Sequence, residues 1–227
     1  MALKRFEARW IRTDTADYSA MMVVPGREFT LMLLGQVRGE PQTISSARSA
    51  LASAGHRPLG ITNAGIFHTG QVPVGLFIEG GITKRPLDLQ DGHGNFYMKP
   101  NGVFSWGPRS GFSIELSEDW SKRSDTLLAT QSGPMLLKDG RRHPAFREDS
   151  VNTAIRSGVG ITSRDKVVFA ISDTPVTFWD FAGFFLSQGC ESALYLDGAI
   201  SDMWTPIRPQ KRQDRYAGLI CIVENPR

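Results

Sequence analysis

One segment of the chain, residues 166–198, constrains the fold more than any other. It begins with the apolar, β-branched run at 166–171 (KVVFAI) and ends with the apolar run at 193–196, which leads directly into Asp197. Both runs predict buried strands. Between them, residues 178–188 are apolar almost all round and predict a buried helix. The segment therefore predicts a strand–helix–strand unit.

Capping residues mark both ends of the predicted helix. Thr177 stands three residues before Asp180, which is the spacing of a capping box with Asp in place of the usual Glu. Gly189 follows the last apolar residues, where glycine adopts the left-handed conformation that ends many helices. A crossover of this length is typical of a βαβ unit with parallel strands, whose carboxyl ends meet at one edge of a sheet.

Asp197 is the first candidate functional residue. Open α/β sheets bind ligands outside the carboxyl ends of their strands, and Asp173 and Asp197 each follow one strand of the unit. An unpaired buried carboxylate is costly, so Asp197 should lie where its strand leaves the core. Gly198 permits a sharp turn or a close approach to a ligand. An ordinary strand end followed by a turn is the alternative interpretation.

The rest of the chain predicts more strands and one more helix. An amphipathic pattern at 44–54 followed by Gly55 predicts the helix, and Asn101-Gly102 predicts a hairpin turn. Strands are predicted at 30–34, 74–78, 95–98, 103–106, 126–131, 156–161 and 216–223. The expected fold class is α+β: a single domain over residues 1–227 with a mixed, mostly antiparallel sheet and flanking helices, including one βαβ unit.

The composition argues against several classes of protein. Hydrophobic residues make up 41% and charged residues 22%, as in ordinary globular proteins. The net charge of +3 comes from scattered cations, so no nucleic-acid partner is expected. No apolar run reaches the ~18 residues of a membrane span. No apolar stretch follows Lys4 and Arg5, so a cytoplasmic location is expected if the chain is complete, and a periplasmic or secreted one if a leader was removed.

The cysteines and histidines suggest no metal site. Cys190 and Cys221 are too few for a disulfide framework or a zinc site. Their apolar surroundings predict buried free thiols, with a single bridge between them as the alternative. The histidines, at positions 56, 68, 93 and 143, lack the spacing of metal ligands. We therefore expect no metal and no cofactor. His68 follows a short strand and is either a general acid/base or an ordinary surface imidazole.

Four predicted strands end in small polar clusters that contain glycine. The clusters are Asn63-Ala64-Gly65, Gln131-Ser132-Gly133-Pro134, Arg156-Ser157-Gly158 and Asp197-Gly198. Glycine next to polar side chains suits backbone that lies close to a polar ligand. Such residues are also normal at the start of a loop, so the repetition is the informative feature. Lys99 and Asn101 form part of a further turn and are also candidates to face a ligand.

These motifs resemble, in order, those of the phosphodiester glycosidase family, and most of all its bacterial branch. The shared motifs are NAGIF at 63–67, GNF at 94–96, KPNG at 99–102, ATQSGP at 129–134, Arg156 with GVG at 158–160, and LDG at 196–198 with Ser201. The resemblance covers residues 57–205. Many members have Leu-Asp-Gly-Gly-Gly-Ser, whereas this chain has Ala199 and Ile200 in that motif. Backbone room near the ligand is then smaller, and the substrate of the family's lysosomal uncovering enzyme is not carried over.

The resemblance implies hydrolysis of a sugar-1-phosphodiester at the bond between the anomeric carbon and the phosphate oxygen. Asp197 would stabilise the oxocarbenium-like transition state or act as the nucleophile. Arg156 would hold the phosphate through a charge-assisted contact. His68 and Asp173 are candidate proton carriers. The implied substrate is a small-molecule or glycan phosphodiester.

The implied binding residues are those of the shared motifs. They are Asn63, Gly65, Lys99, Asn101, Gln131, Ser132, Gly133, Arg156, Gly198 and Ser201. Among them, Asn63, Gln131 and Ser201 would orient sugar hydroxyls or phosphate oxygens. Two other functions stay open: a carbohydrate- or nucleotide-binding module without turnover, and a metal-dependent phosphodiesterase that cleaves P–O bonds. The sugar and the oligomeric state are not predicted.

Overall fold

The computed structural model describes residues 6–24, 28–35, 42–198, 200–212 and 214–225, and strands dominate it. In chain order the described strands are β1 (Phe6–Arg12), β2 (Asp17–Val23), β3 (Phe29–Leu34), β4 (Arg57–Asn63), β5 (Phe67–His68), β6 (Val72–Pro73), β7 (Phe77–Glu79), β8 (Ile82–Arg85), β9 (Gly102–Gly107), β10 (Gly111–Leu116), β11 (Leu128–Ser132), β12 (Met135–Lys138), β13 (Arg141–Arg142), β14 (Ser157–Thr162), β15 (Val167–Ser172), β16 (Cys190–Tyr195), β17 (Met203–Trp204) and β18 (Leu219–Glu224).

The strands form three larger sheets and one small pair. The seven-stranded sheet has the order β1-β2-β15-β14-β16-β12-β13, the five-stranded sheet β10-β9-β11-β7-β8, and the four-stranded sheet β17-β4-β18-β3, while β5 pairs with β6. Within the described ranges every named strand pair is antiparallel.

The predicted α+β class, with a mixed sheet and flanking helices, is wrong. The described part of the chain contains two α-helices, α1 (Ile44–Ser53) and α2 (Phe178–Ser187), and one 3₁₀ turn at Asn95–Tyr97. The fold is therefore β-rich, with several antiparallel sheets. The prediction assumed that the strands flanking α2 pair with each other, but antiparallel partners from elsewhere in the chain occupy their edges.

The predicted strand–helix–strand crossover from β15 through α2 to β16 is present, and its two strands run in the same direction in one sheet, but they are not neighbours. β14 lies between β15 and β16 and pairs antiparallel with both, so those two strands run in the same direction without touching. The hairpin of β14 and β15 is joined by a short turn. Gly158 and Gly160 of β14 let α2 pack closely on this strand. A Cβ on Gly160 would lie 2.6 Å from a ring carbon of Phe185, and a Cβ on Gly158 would lie 3.1 Å from a ring carbon of Phe181.

Both predicted helices are present with their predicted ends. The Thr177 hydroxyl accepts a hydrogen bond from the Asp180 backbone N–H at 3.1 Å and donates to the Asp180 carboxylate at 2.7 Å. Gly189 follows α2 with φ 76°, and Gly55 follows α1 with φ 79°. Capping signals are local, which is why the sequence alone located these helix ends.

The hairpin predicted at Asn101-Gly102 does not form. Residues 95–97 make the 3₁₀ turn rather than a strand, and the Asn101 side chain donates to the Phe96 carbonyl at 2.9 Å. β9 pairs instead with β10 and β11. The Asn-Gly pair therefore leads into a strand whose hairpin partner, β10, follows it in the chain rather than precedes it.

The main hydrophobic core draws side chains from all three larger sheets, among them Met21, Leu31, Phe104, Phe169, Leu194 and Ile220. α2 packs on the other face of the seven-stranded sheet, and α1 packs against the four-stranded sheet. Cys190 and Cys221 are buried free thiols, as predicted, and burial raises the pKa of Cys190 to about 12. In the described part of the chain, no helix has the length and apolar character of a membrane span.

Candidate active site

The site lies where β14 begins, between the carboxyl ends of β15 and β16. The Arg156 backbone N–H donates to the Ser172 hydroxyl at 3.0 Å, and the Ser172 N–H donates to the Arg156 carbonyl at 2.9 Å. On the other side, the Leu196 N–H donates to the Ser157 carbonyl at 3.0 Å. Because β14 is inserted here, it carries Arg156 and Ser157 to the end of the strand that leads into Asp197.

The Ser157 hydroxyl fixes the backbone at Asp197. It donates to the Asp197 carbonyl at 2.7 Å and accepts from the Asn63 side-chain amide at 2.8 Å. The Ser201 hydroxyl lies 3.2 Å from the Ser157 hydroxyl and also donates to the Asp197 carbonyl. Asn63 and Ser201 thus lie at the site as predicted, but protein partners hold their side chains. Ser157 itself was not predicted, although it stands next to Arg156 in a motif.

Arg156 is a buried cation. Only 2% of its surface is exposed, its Nε donates to the Val176 carbonyl at 2.9 Å, and an Nη donates to the Asn152 carbonyl at 3.1 Å. Its guanidinium lies 3.7 Å from the centre of the Phe178 ring. Burial lowers the pKa of Arg156, and the adjacent Tyr195 phenol partly offsets this; the guanidinium still stays charged at physiological pH. Within the described ranges no carboxylate forms an ion pair with it.

Tyr195 connects Arg156 to the Asp197 segment. This contact was not predicted, because an aromatic residue in an apolar strand resembles a core residue. Its ring centre lies 5.7 Å from the Arg156 guanidinium, and burial, with a smaller contribution from the Asp197 charge, raises the pKa of Tyr195 to about 12. The phenol is therefore neutral at pH 7. A Cβ on Gly198 would overlap the Tyr195 hydroxyl, so glycine at this position makes room for the phenol.

Gln131 is fully occupied by the protein. Its Oε1 accepts from the backbone N–H groups of Leu76 and Asp88, both at 3.0 Å. Its Nε2 donates to the Asp88 carbonyl at 2.6 Å and to the Ser117 hydroxyl at 3.0 Å. A side-chain amide has two donor hydrogens and one acceptor oxygen, so no position is left to orient a sugar. Gln131 holds the loop around Asp88 in place.

Four further predicted binding residues also build the framework. The Ser132 hydroxyl donates to the Leu196 carbonyl at 2.6 Å, one residue before the carboxylate. Gly65 and Gly133 allow close backbone packing, since a Cβ on either would lie 2.4 Å or 2.6 Å, respectively, from a neighbouring carbonyl oxygen. Asn101 is held by the 3₁₀ turn described above. The structure thus assigns these residues to positioning the strand that ends at the site.

Three candidates lie apart from Asp197. Lys99 pairs with the exposed carboxylate of Asp91 at 2.7 Å. Asp173 accepts from the Lys211 ammonium at 2.8 Å and from the Ser19 hydroxyl at 2.8 Å. His68 is exposed on β5. None of the described contacts connects these side chains with Asp197, so their roles as proton carrier or ligand stay predictions.

Asp202 is a second buried carboxylate in the same segment, with 1% of its surface exposed. It accepts from the backbone N–H groups of Met203 at 2.8 Å, Lys211 at 3.0 Å and Arg212 at 2.8 Å. The Arg208 guanidinium donates to it at 3.1 Å. Asp202 therefore anchors the loop at 208–212.

A cavity of about 460 Å³ opens next to Arg156. Its lining includes Met98, Ala145, Phe146, Val151, Asn152 and Phe178. Of these, Phe178 and Asn152 also contact the Arg156 guanidinium. Phe146 stacks on Phe178 with centroids 4.9 Å apart and planes 4° apart, and His143 stacks on Phe146 at 4.9 Å. A column of flat groups thus runs from Arg156 along the cavity to His143.

Solved structures share this fold. The catalytic domain of zebrafish N-acetylglucosamine-1-phosphodiester alpha-N-acetylglucosaminidase, auto-inhibited by its pro-peptide, matches with a TM-score of 0.66 and 16% identity, over 97% of this chain and 82% of that one. A hypothetical protein from Synechocystis matches with a TM-score of 0.68 and 11% identity, over 97% of this chain and 62% of that one. At these identities the likeness concerns the fold.

Sequence comparisons identify the family. The uncharacterized protein YigE of Escherichia coli K12 is 34% identical over 193 residues, which cover 84% of this chain and 75% of YigE. The model of the phosphodiester glycosidase family matches residues 57–220, a range that contains every predicted site residue. Both findings agree with the resemblance that the sequence motifs indicated, and the chain belongs to the phosphodiester glycosidase family.

Proposed function

We propose that the protein hydrolyses a sugar-1-phosphodiester at the anomeric C–O bond and releases a sugar and a phosphate monoester. The observation that carries this proposal is the environment of Arg156. A buried charge is expensive unless it is paired, and the described residues supply Arg156 with carbonyls, a phenol and an aromatic face instead of a carboxylate. A substrate phosphate would complete this site with a charge-assisted contact.

Asp197 would act on the sugar side of that phosphate. Cleavage at the anomeric carbon develops positive charge on the sugar ring, which a nearby carboxylate stabilises or attacks. The Ser157 and Ser201 hydroxyls hold the Asp197 carbonyl, so the backbone that carries this carboxylate is fixed before the substrate binds. Such prior ordering is what makes electrostatic stabilisation effective.

Tyr195 would assist at the phosphate. Its phenol is neutral at pH 7 because its pKa is raised to about 12, and it adjoins both Arg156 and Gly198. A neutral phenol retains a proton that it can donate to a phosphate oxygen. The departing phosphate monoester is already a good leaving group, so a strong general acid is less necessary.

Membership of the family supports the reaction class, while the substrate is part of the proposal. The zebrafish enzyme that shares the fold acts, by its name, on an N-acetylglucosamine-1-phosphodiester. For a metal-dependent phosphodiesterase, several carboxylates and histidines would have to converge. In the ranges that the structure describes, no three His, Cys, Asp or Glu side chains are grouped as metal ligands.

The test is a panel of sugar-1-phosphodiesters hydrolysed in ¹⁸O-labelled water. Our proposal expects the label in the released sugar, because the C–O bond breaks, and it expects turnover to survive EDTA. Label in the phosphate, with activity that EDTA removes and one divalent cation restores, would establish the metal-dependent phosphodiesterase instead. Binding of the diesters without any turnover would establish the binding module.

A further inference from the structure

We propose that the cavity beside Arg156 is the leaving-group subsite, and that it accepts a phosphodiester whose leaving group carries an aromatic or cyclic apolar ring. This inference rests on the proposed function. It names the chemistry of the substrate half that neither the family nor its characterised members define for this chain.

The first support is the order of the groups in space. Asn152 and Phe178 line the cavity and contact the Arg156 guanidinium directly. The Tyr195 ring, whose centre lies 5.7 Å from the Arg156 guanidinium, connects Arg156 with Gly198 and the Asp197 segment. A phosphate held by Arg156 with its sugar directed to Asp197 therefore has its second ester oxygen free to lead into the cavity.

The second support is the apolar character of the cavity. Phe146 and Phe178 form a stacked pair beside it, and Met98 adds a flexible apolar side chain. Val151 stands on the rim with 93% of its surface exposed. Both faces of Phe178 and of Phe146 are covered in the column from Arg156 to His143, so it is their ring edges that border the cavity, and aromatic edges favour T-shaped contacts with the face of a ligand ring.

The third support is the balance of charge on the rim. The charged rim residues Arg147 and Asp149 pair with each other at 3.3 Å, and the Ser150 hydroxyl accepts from the Asn152 N–H at 3.3 Å. These polar groups are thus already engaged, and none is arranged as a second anion site. At about 460 Å³, the cavity falls within the range of ~300–1,000 Å³ that is typical of small-molecule sites.

The experiment compares methyl and benzyl diesters of the same sugar 1-phosphate, because methyl and benzyl phosphate are leaving groups of similar acidity. We expect kcat/KM to be about tenfold higher for the benzyl diester, which corresponds to one ring buried in part. Ala145→Trp fills the cavity from an exposed position. This variant should reduce kcat/KM for the benzyl diester to the value for the methyl diester. It should change kcat/KM for the methyl diester by no more than about twofold.

A second variant and a control variant complete the experiment. Val151→Asp places a charge on the rim without any burial cost and should lower the benzyl preference even if Ala145→Trp folds poorly. Ile82→Asp changes a residue that is 61% exposed on β8 and does not line the cavity. This matched control should leave both diesters unchanged.

Calorimetric binding of benzyl phosphate and methyl phosphate separates this inference from the proposed function. Turnover with equal rates for both diesters in all variants would overturn the subsite and leave the function standing. Absence of turnover, with benzyl phosphate bound about tenfold more tightly and the difference removed by Ala145→Trp, would overturn the function and retain the subsite. Absence of turnover with equal binding of both phosphates would overturn both.

Discussion

Among the residues that the structure describes, two arginines are almost excluded from solvent, and they differ in what surrounds them. Arg156 is 2% exposed and Arg208 is 8% exposed. Arg208 donates to the Asp202 carboxylate at 3.1 Å and lies 3.5 Å from that of Asp173. Arg156 meets two carbonyls, a phenol and a phenyl ring.

The comparison separates a charge that carboxylates compensate from the charge that we propose binds the substrate phosphate. The carboxylates of Asp202 and Asp173 lie beside Arg208 and compensate its charge. Carbonyl dipoles and an aromatic face compensate the charge of Arg156 only in part. Burial alone therefore does not mark a functional arginine, and the identity of its partners does.

The largest effect is expected on stability, at Arg208. Arg208→Met leaves the Asp202 carboxylate buried without its cation, which typically costs about 3–5 kcal/mol in the free energy of unfolding. The measurement is urea unfolding, with turnover recorded under conditions where the variant is folded. Normal stability would show that Arg208 is not the counter-ion of this region and would remove the contrast.

Arg156 should show the opposite pattern. Arg156→Met is expected to reduce kcat/KM for a phosphodiester by about 2–5 kcal/mol, since a substrate anion loses its partner, while the urea midpoint stays level or rises. Arg156→Lys should recover only part, because an ammonium replaces a planar fork. An uncharged aryl glycoside with the same sugar is the control substrate. Equal losses on both substrates would mean that Arg156 does not hold the phosphate.

The two carboxylates of the same segment sharpen the contrast further. Asp197→Asn should leave unfolding unchanged and reduce kcat by at least ~100-fold, the usual scale of lost transition-state electrostatics. Asp202→Asn should lower stability instead, because Asp202 holds Arg208 and three backbone N–H groups. Near-normal turnover by folded Asp197→Asn would remove Asp197 from the mechanism.

The smallest effect concerns pH and His143, which stacks at the end of the column that starts at Arg156. Its Nε2–H donates to the Lys99 carbonyl at 3.0 Å and its Nδ1 accepts from the Ala145 N–H at 3.1 Å, so the neutral ring is favoured. Burial lowers the pKa of His143. The unfolded chain, with a histidine pKa of about 6.5, therefore takes up a proton first, and stability is lost as the pH falls below that value.

The check is the urea midpoint of the wild type and of His143→Phe at pH 7.5 and pH 5.5. The variant keeps a flat ring but cannot titrate, so its midpoint should fall less between the two pH values, although its stability at pH 7.5 is lower. An identical fall in both proteins would exclude His143 as a source of the pH dependence.

The sequence located features that depend on neighbouring residues and missed those that depend on distant ones. The ends of α2 follow from Thr177 and Gly189, which are local signals. The positions of Arg156 and Asp197 at strand ends follow from apolar runs that stop. The sheet order does not, because β2 pairs with β15 across most of the chain and no local pattern encodes such a pairing.

Side-chain partners were equally out of reach. Gln131 and Asn101 carry the polar groups of a binding residue. Only the folded structure shows that these groups are hydrogen-bonded to the backbone of neighbouring segments. Tyr195 shows the opposite case, because an aromatic residue in an apolar strand is predicted to be part of the hydrophobic core. The phenol meets Arg156 only because β14 brings that arginine beside it, and Gly198, three residues further along the same segment, leaves room for it.

The position of Phe178 has a consequence for how substrate preference can change. One face of its ring packs on Arg156 and the other on Phe146, while its edge lines the cavity, so on our proposal a substitution there would alter phosphate binding and leaving-group preference together. Ala145 and Val151 touch the cavity alone and are exposed. Directed evolution toward new leaving groups should therefore accumulate changes at 145 and 151 and leave position 178 untouched, which makes the exposed rim the adaptable part of this enzyme.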